Sequence, residues 1–246
     1  MGVDQVTDWH TVAASTLEWW DTAGVDTLVE DTPRDWLTPA PAPVANREPV
    51  TPAADNAPAP VPAMPDTIEA FVRWRTSEHA PERSWNAPLL TPRLIADAKL
   101  LIFTDMPEAE DAEEGRLLGG APGRLFDRML AAIGLSRDEI ALSGIALARP
   151  ASGQIAREDE RALRALALHQ LVLTTPKRVL LLGQAASRAL IAPERAGLRG
   201  SLEAINHQGR KYEAIATFHP RFLLQRPAAK GESWKDLQRL MGGIDS

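Results

Sequence analysis

Lys99-Leu100-Leu101-Ile102-Phe103-Thr104-Asp105 is an unbroken apolar run closed by a hydroxyl and a carboxylate. A strand of a parallel sheet covered by helices on both faces reads this way, since no position along it meets water. Arg178-Val179-Leu180-Leu181-Leu182, ended by Gly183, repeats the pattern, and Ile140 to Leu147 and Tyr212 to Thr217 are looser versions. Helical stretches alternate with these runs. Pro122 to Ile133 has proline near its first turn and Gly134 just past its end. Glu158 to Thr174, Gln184 to Ile191 and Ser233 to Met241 follow, and Asp66 with Glu69 forms a capping-box pattern ahead of Ile68, Phe71 and Val72. Glu203 to Asn206 and Tyr212 to Thr217 flank the polar turn His207-Gln208-Gly209-Arg210. The alternation predicts an α/β fold: a three-layer αβα domain around a central, mostly parallel four-stranded sheet. Ligands of such sheets bind beyond the strands' C-terminal ends. Three ends carry candidate chemistry: Asp105, Ser143 to Pro150, and His219.

The last of these ends is the richest. Thr217-Phe218-His219-Pro220-Arg221-Phe222-Leu223-Leu224 sets a histidine at a strand exit, fixed by the rigid φ of the next proline. Phe222, Leu223 and Leu224 between Arg221 and Arg226 suit a wedge that parts stacked bases while holding phosphates. A solvent-exposed His-Pro turn before a short amphipathic helix is the plainer alternative.

Composition narrows the classes. The 246 residues contain no cysteine, which excludes disulfides and thiolate-held metals or iron–sulfur clusters. No apolar run approaches a membrane span, and no signal-like leader opens the chain, so a cytoplasmic protein is expected. The net charge of −6 is unevenly spread: residues 1–65 carry −8, leaving +2 for the remainder. A near-neutral domain can still turn a basic face to phosphate.

Residues 1–37 read as a Trp-bearing helical peptide, with a helix expected from Val6 to Trp20. Residues 38–65, rich in Pro and Ala, are too poor in large apolar groups to fold and form a linker. Residues 66–246 hold the folded domain. Trp19 and Trp20 on such a leash suit the docking of a replication or repair protein, or packing back on the host domain.

Taken in order, the segments from Lys99 to Met241 resemble family 4 of the uracil-DNA glycosylase superfamily. A GEAPG strand end corresponds to Thr104-Asp105-Met106-Pro107-Glu108. The following glycine-rich stretch and helix correspond to Gly115 through Leu135, with Asp127-Arg128-Met129-Leu130-Ala131-Ala132-Ile133-Gly134-Leu135 nearly intact. TNVVKCRPPGNR aligns with Ser143 to Gln154, PKVIVALG with Pro176 to Gly183, and an HPSYLLRNP-like motif with His219 to Pro227.

The resemblance implies excision of uracil from DNA. The base leaves the duplex, and its glycosidic bond breaks through a sugar cation while charge moves onto the base. Carried over by position, His219 is the anion-stabilising histidine, and Asp105 takes the place of a catalytic glutamate one methylene longer. Leu118 stands at the stacking-phenylalanine position and Gly144, with Ser143 beside it, at the uracil-reading asparagine. Met106 and Pro107 complete the expected substrate contacts. Gly120, Gly123, Arg149, Arg221, Phe222, Leu223, Arg226 and Lys230 are the expected DNA contacts. Cluster cysteines of the family align with Ala148 and Leu163, so no metal and no cofactor are expected. The loop Glu108 to Glu114 reads as a solvated acidic surface.

Two readings stay open. One is a divergent glycosylase acting through Asp105 and His219. The other is a catalytically inactive adaptor that docks through its Trp peptide, with the psi subunit of the bacterial clamp loader as a loosely similar precedent. A nucleotide-binding α/β domain is disfavoured by the lack of a phosphate-loop motif.

Overall fold

The structure is a computed structural model that describes residues 64–191 and 199–242, with residues 14, 15 and 18. The chain divides into two compact units, Met1–Ala57 and Pro58–Ser246. Of the first unit, the described Ala14, Ser15 and Glu18 are helical and exposed. Trp19 and Trp20, the proposed docking residues, lie outside the described residues, as does most of the expected linker.

The second unit is built on one sheet. Its strands are β1 (Leu100–Thr104), β2 (Ala141–Gly144), β3 (Arg178–Leu182), β4 (Leu202–His207) and β5 (Arg210–Thr217), in the spatial order β2-β1-β3-β5-β4. β2, β1, β3 and β5 are mutually parallel, and β4 runs antiparallel to β5 at the edge. The sheet therefore has five strands rather than the expected four. The polar turn at His207 to Arg210 closes a hairpin, whereas each parallel step is bridged by a helix. β2 is also shorter than the apolar run Ile140 to Leu147 implied, because the chain leaves the sheet at Gly144 to fold over the end of β1. There the Ile145 N–H bonds the Thr104 carbonyl at 2.9 Å and the Ala146 N–H bonds the Asp105 carbonyl at 3.0 Å.

Seven α-helices pack around the sheet among the described residues: α1 (Ile68–Arg75), α2 (Asp111–Glu114), α3 (Gly120–Ala132), α4 (Arg157–Thr174), α5 (Gln184–Leu190), α6 (Pro220–Gln225) and α7 (Lys230–Met241). The period-2 alternation of β1 divides its side chains between two cores. Leu101 and Phe103 join Phe71, Leu163, Leu171 and Leu190 from α1, α4 and α5. Leu100 and Ile102 join Phe126, Leu130, Leu237 and Leu240 from α3 and α7. This is the three-layer αβα architecture. Thr67 rather than Asp66 caps α1, its hydroxyl accepting from the Ala70 N–H at 3.3 Å, so the expected capping box starts one residue too early. No described helix is long and apolar enough to cross a membrane.

Candidate active site

β1 and β5 both end on the same rim, with β3 between them. Thr104 and Asp105 leave β1, and His219 follows β5 as the N-cap of α6. For His219 to reach across, the residue just after β3 must be small. It is Gly183, at φ +91°, where a β-carbon would stand 3.3 Å from the His219 β-carbon. Only glycine adopts that φ without strain.

His219 has both ring nitrogens engaged. The Arg221 backbone N–H donates to Nδ1 at 3.1 Å, so the neutral ring carries its proton on Nε2. Nε2 lies 2.8 Å from the Thr104 hydroxyl oxygen, which accepts. The Thr104 hydroxyl then points to Asp105 Oδ1 at 3.4 Å, and Asp105 Oδ1 stands 3.7 Å from Nε2. Burial holds the imidazole neutral, lowering its pKa from 6.5 to about 4. Asp105 opposes that shift and the Arg221 cation adds to it. The result is a neutral donor oriented by the backbone of its own helix cap.

Asp105 Oδ1 also accepts the Met106 N–H at 2.8 Å, which fixes the carboxylate as a turn cap while Oδ2 faces Arg221 Nη2 at 3.2 Å. Arg221 bonds both oxygens of Glu108, at 2.8 and 2.9 Å. Burial raises the Glu108 pKa above its ordinary value, against the lowering effect of the Arg221 bonds. Burial by itself would lower Arg221, yet its bonds to Glu108 and the nearby Asp105 leave it raised. Arg221 is therefore held first by protein carboxylates and only partly faces outward.

The acidic loop is a solvated surface at Glu110, Glu113 and Glu114 but not at its other two carboxylates. Glu108 and Asp111 are buried, and the Asp111 carboxylate accepts three backbone N–H groups: Glu108 at 2.9 Å, Leu118 at 2.9 Å and Gly119 at 2.6 Å. Glu114 accepts the Gly120 N–H at 2.7 Å, and the Gly123 N–H bonds the Gly119 carbonyl at 2.8 Å. The N–H groups of Gly120 and Gly123, two of the expected DNA contacts, thus already have partners.

Two cavities meet at Asp105. The larger, about 590 Å³, is lined by Asp105, His219, Arg221, Phe222 and Arg188 among others. The smaller, about 220 Å³, includes Asp105, Met106, Ile145, Gln154 and Arg188. Phe222 is exposed at the larger cavity and stacks on Phe218 with ring centroids 4.8 Å apart. Arg226 and Lys230 are exposed, Lys230 along a separate groove with Met129 and Trp234.

Other expected contacts are turned away from these cavities. Leu118 is fully buried in the α3–α7 core, at φ +53°. That left-handed turn is held by Asp111 from one side and by Arg137 from the other, Arg137 Nη1 donating to the Leu117 carbonyl at 2.8 Å. Leu223 is buried too, so the expected wedge reduces to Phe222 and Leu224. Ser143 is buried and its hydroxyl donates to the Gly144 carbonyl at 3.2 Å. Pro107 is buried, and its carbonyl accepts Arg149 Nη1 at 3.0 Å, which ties Arg149 to the loop. Gly144 has no room for any side chain, since a β-carbon there would collide with the Ala146 carbonyl oxygen.

Glu108 and Thr104 were absent from the expected site, and Arg221 was expected there as a DNA contact rather than as the partner of Glu108. Glu108 falls at the final glycine of GEAPG and Arg221 at the serine of the HPS motif, two departures of opposite charge that signal a contact. An iron–sulfur cluster does not fit. There is no thiolate in the sequence, and Ala148 and Leu163 are fully buried. Among the described residues no group of three His, Cys, Asp or Glu side chains is placed to hold a metal.

Residues 92–238 match a family described as the uracil DNA glycosylase superfamily. The chain belongs to the uracil DNA glycosylase superfamily. It is similar to the type-4 uracil-DNA glycosylase of Pyrobaculum aerophilum, at 30% identity over 151 residues, covering 58% of this chain and 77% of the relative. The type-4 uracil-DNA glycosylase of Archaeoglobus fulgidus is 23% identical over 150 residues, covering 58% and 75%. That of Sulfurisphaera tokodaii is 22% identical over 151 residues, covering 58% and 69%. The superfamily region thus spans every strand and the rim where Asp105 and His219 meet, but begins after α1.

Proposed function

We propose that this protein hydrolyses the glycosidic bond of uracil in DNA, with Asp105 and His219 as its catalytic residues. The observation that carries this reading is their proximity, 3.7 Å between Asp105 Oδ1 and His219 Nε2, at the mouth of a cavity on the strands' C-terminal rim. A nucleotide turned out of its strand enters with its sugar beside Asp105. As the bond from C1′ to N1 lengthens, positive charge grows on the sugar and the bonding pair passes to the uracil ring. The Asp105 carboxylate stabilises that cation and takes a proton from the water that adds to C1′. His219 Nε2–H, shared with Thr104 in the free protein, shifts to a carbonyl oxygen of the departing base. A neutral donor suits this role, because it stays protonated on Nε2 across neutral pH and stabilises the anion without giving up its proton. Phe222 and Leu224, exposed on α6, are placed to fill the space the base vacates.

The test is excision of uracil from single-stranded DNA and from a G·U duplex. Expected are a base-free strand with the native chain, a loss of roughly a hundredfold or more in Asp105→Asn, and about a hundredfold in His219→Gln. Product formation no greater than that of His219→Ala would refute the reading.

A further inference from the structure

The positions expected to read the base and to stack on it cannot do so. Gly144 has no space for a side chain, and Leu118 is sealed in a core. A glycosylase site without an amide at the base edge would discriminate poorly, since selectivity for polar edges comes from groups left unpaired by the wrong ligand.

The smaller cavity supplies an alternative. At about 220 Å³ it is below the roughly 300–1,000 Å³ of sites for drug-sized ligands, and suits one heterocyclic ring. Met106, Ile145 and Ile155 give it apolar walls, and Gln154 lines it from the loop before α4. That loop is set by a tight turn. The Gly153 N–H bonds the Pro150 carbonyl at 2.8 Å with Gly153 at φ +68°. Ser152 then bonds the backbone of Gln154 on both sides, at 3.0 and 3.3 Å. These bonds use only main-chain atoms of Gln154. Among the described residues its side-chain amide has no partner. Asp105 and Arg188 line both cavities. A nucleotide with its base in the smaller cavity and its backbone in the larger would thus pass its sugar by Asp105, the sugar-side carbonyl of the base by His219, 3.7 Å from Asp105 in the larger cavity, and a phosphate by Arg188.

We infer that Gln154 is the base-reading residue of this site, taking a base with an imide edge, an N–H beside a carbonyl, through its side-chain amide. The inference rests on the proposed glycosylase reading and gives it a specificity determinant. Gln154 Oε1 accepts the ring N–H and Nε2 donates to the neighbouring carbonyl, the two-point contact that an asparagine at position 144 would otherwise make.

Binding separates this inference from the reading beneath it. The full chain is titrated by fluorescence anisotropy with three single-stranded oligonucleotides. One holds a single 2′-fluoro-2′-deoxyuridine, whose fluorine slows cleavage by disfavouring a cation at C1′. The second holds its N3-methyl derivative and the third a tetrahydrofuran abasic site. The native chain should prefer the uracil strand to the other two by roughly tenfold. Gln154→Ala should abolish that preference, and Gln154→Glu, similar in size but without the N–H donor, should do the same. Because Gln154 is exposed, neither change disturbs the core. A tenfold preference that survives both substitutions would overturn the role of Gln154 and leave the glycosylase reading intact. No preference in the native chain would remove both.

Discussion

Gly144 shows why the site cannot be restored by one substitution. Its strand partner is Thr104, and the next two residues bond back to the end of β1, so the chain turns too tightly for a β-carbon. Gly144→Asn is expected to lower stability by about 1–3 kcal/mol, the range for forcing atoms into a packed core. Thermal melting checks this, and an excision rate that rises in the variant would contradict the geometry. That Asp105 and His219 would meet on one rim was legible, because a carboxylate and a histidine at the ends of apolar runs are conspicuous. The bridge that Arg221 makes from Asp105 to Glu108 was not. Arg221 and Glu108 are far apart in sequence, and each suits a surface when read alone.

Among elements, α2 and the turn into α3 depend on Asp111. One buried carboxylate accepts the N–H groups of Glu108, Leu118 and Gly119, which together set the left-handed turn at Leu118. Asp111→Ala leaves those donors without acceptors, at about 1–3 kcal/mol for each that water cannot reach. The expected outcome is a loss of several kcal/mol in denaturant unfolding, with faster amide exchange at residues 117–120. Exchange unchanged at those amides would mean that the loop is held otherwise. The strands and long helices were legible from periodicity because burial on both faces repeats along the chain. The direction of Leu118 was not, since it follows from a carboxylate seven residues earlier that resembles its exposed neighbours. The antiparallel β4 edge was visible as a run but not as a fifth member of the sheet, because pairing is a long-range choice.

For the whole molecule, His219 links stability to pH. Its pKa is ordinarily 6.5 and about 4 in the fold, so between those values the unfolded chain binds more protons. Its contribution is complete above about pH 6.5 and disappears as the pH falls through about 4. It amounts to at most about 3 kcal/mol. Glu108, raised by burial, acts in the opposite sense: its contribution is present below the ordinary 4.5 and is lost as the pH rises through its folded value. Unfolding measured from pH 7 to 4 should therefore steepen with acid in the native chain and flatten in His219→Gln. Equal slopes would show that the imidazole is not held neutral. By the same reasoning, catalysis should show no histidine limb near pH 6.5.

The buried pair of Arg75 and Glu82 lies upstream of the region that matches the superfamily, yet it grips that region from behind. Both side chains are fully buried and bonded to each other, and Glu82 accepts the Leu147 N–H at 2.9 Å. Glu82→Gln should cost about 3–5 kcal/mol by stranding a guanidinium in the interior, whereas Arg75→Met with Glu82→Leu should recover only part of the loss in chemical unfolding, because the Leu147 N–H stays without its acceptor. A fragment begun at residue 92 would keep every strand but lose this grip on the chain leaving β2. That fragment is expected to unfold at lower denaturant than residues 64–242, and a transplant of this rim into another scaffold should gain from carrying its upstream brace with it.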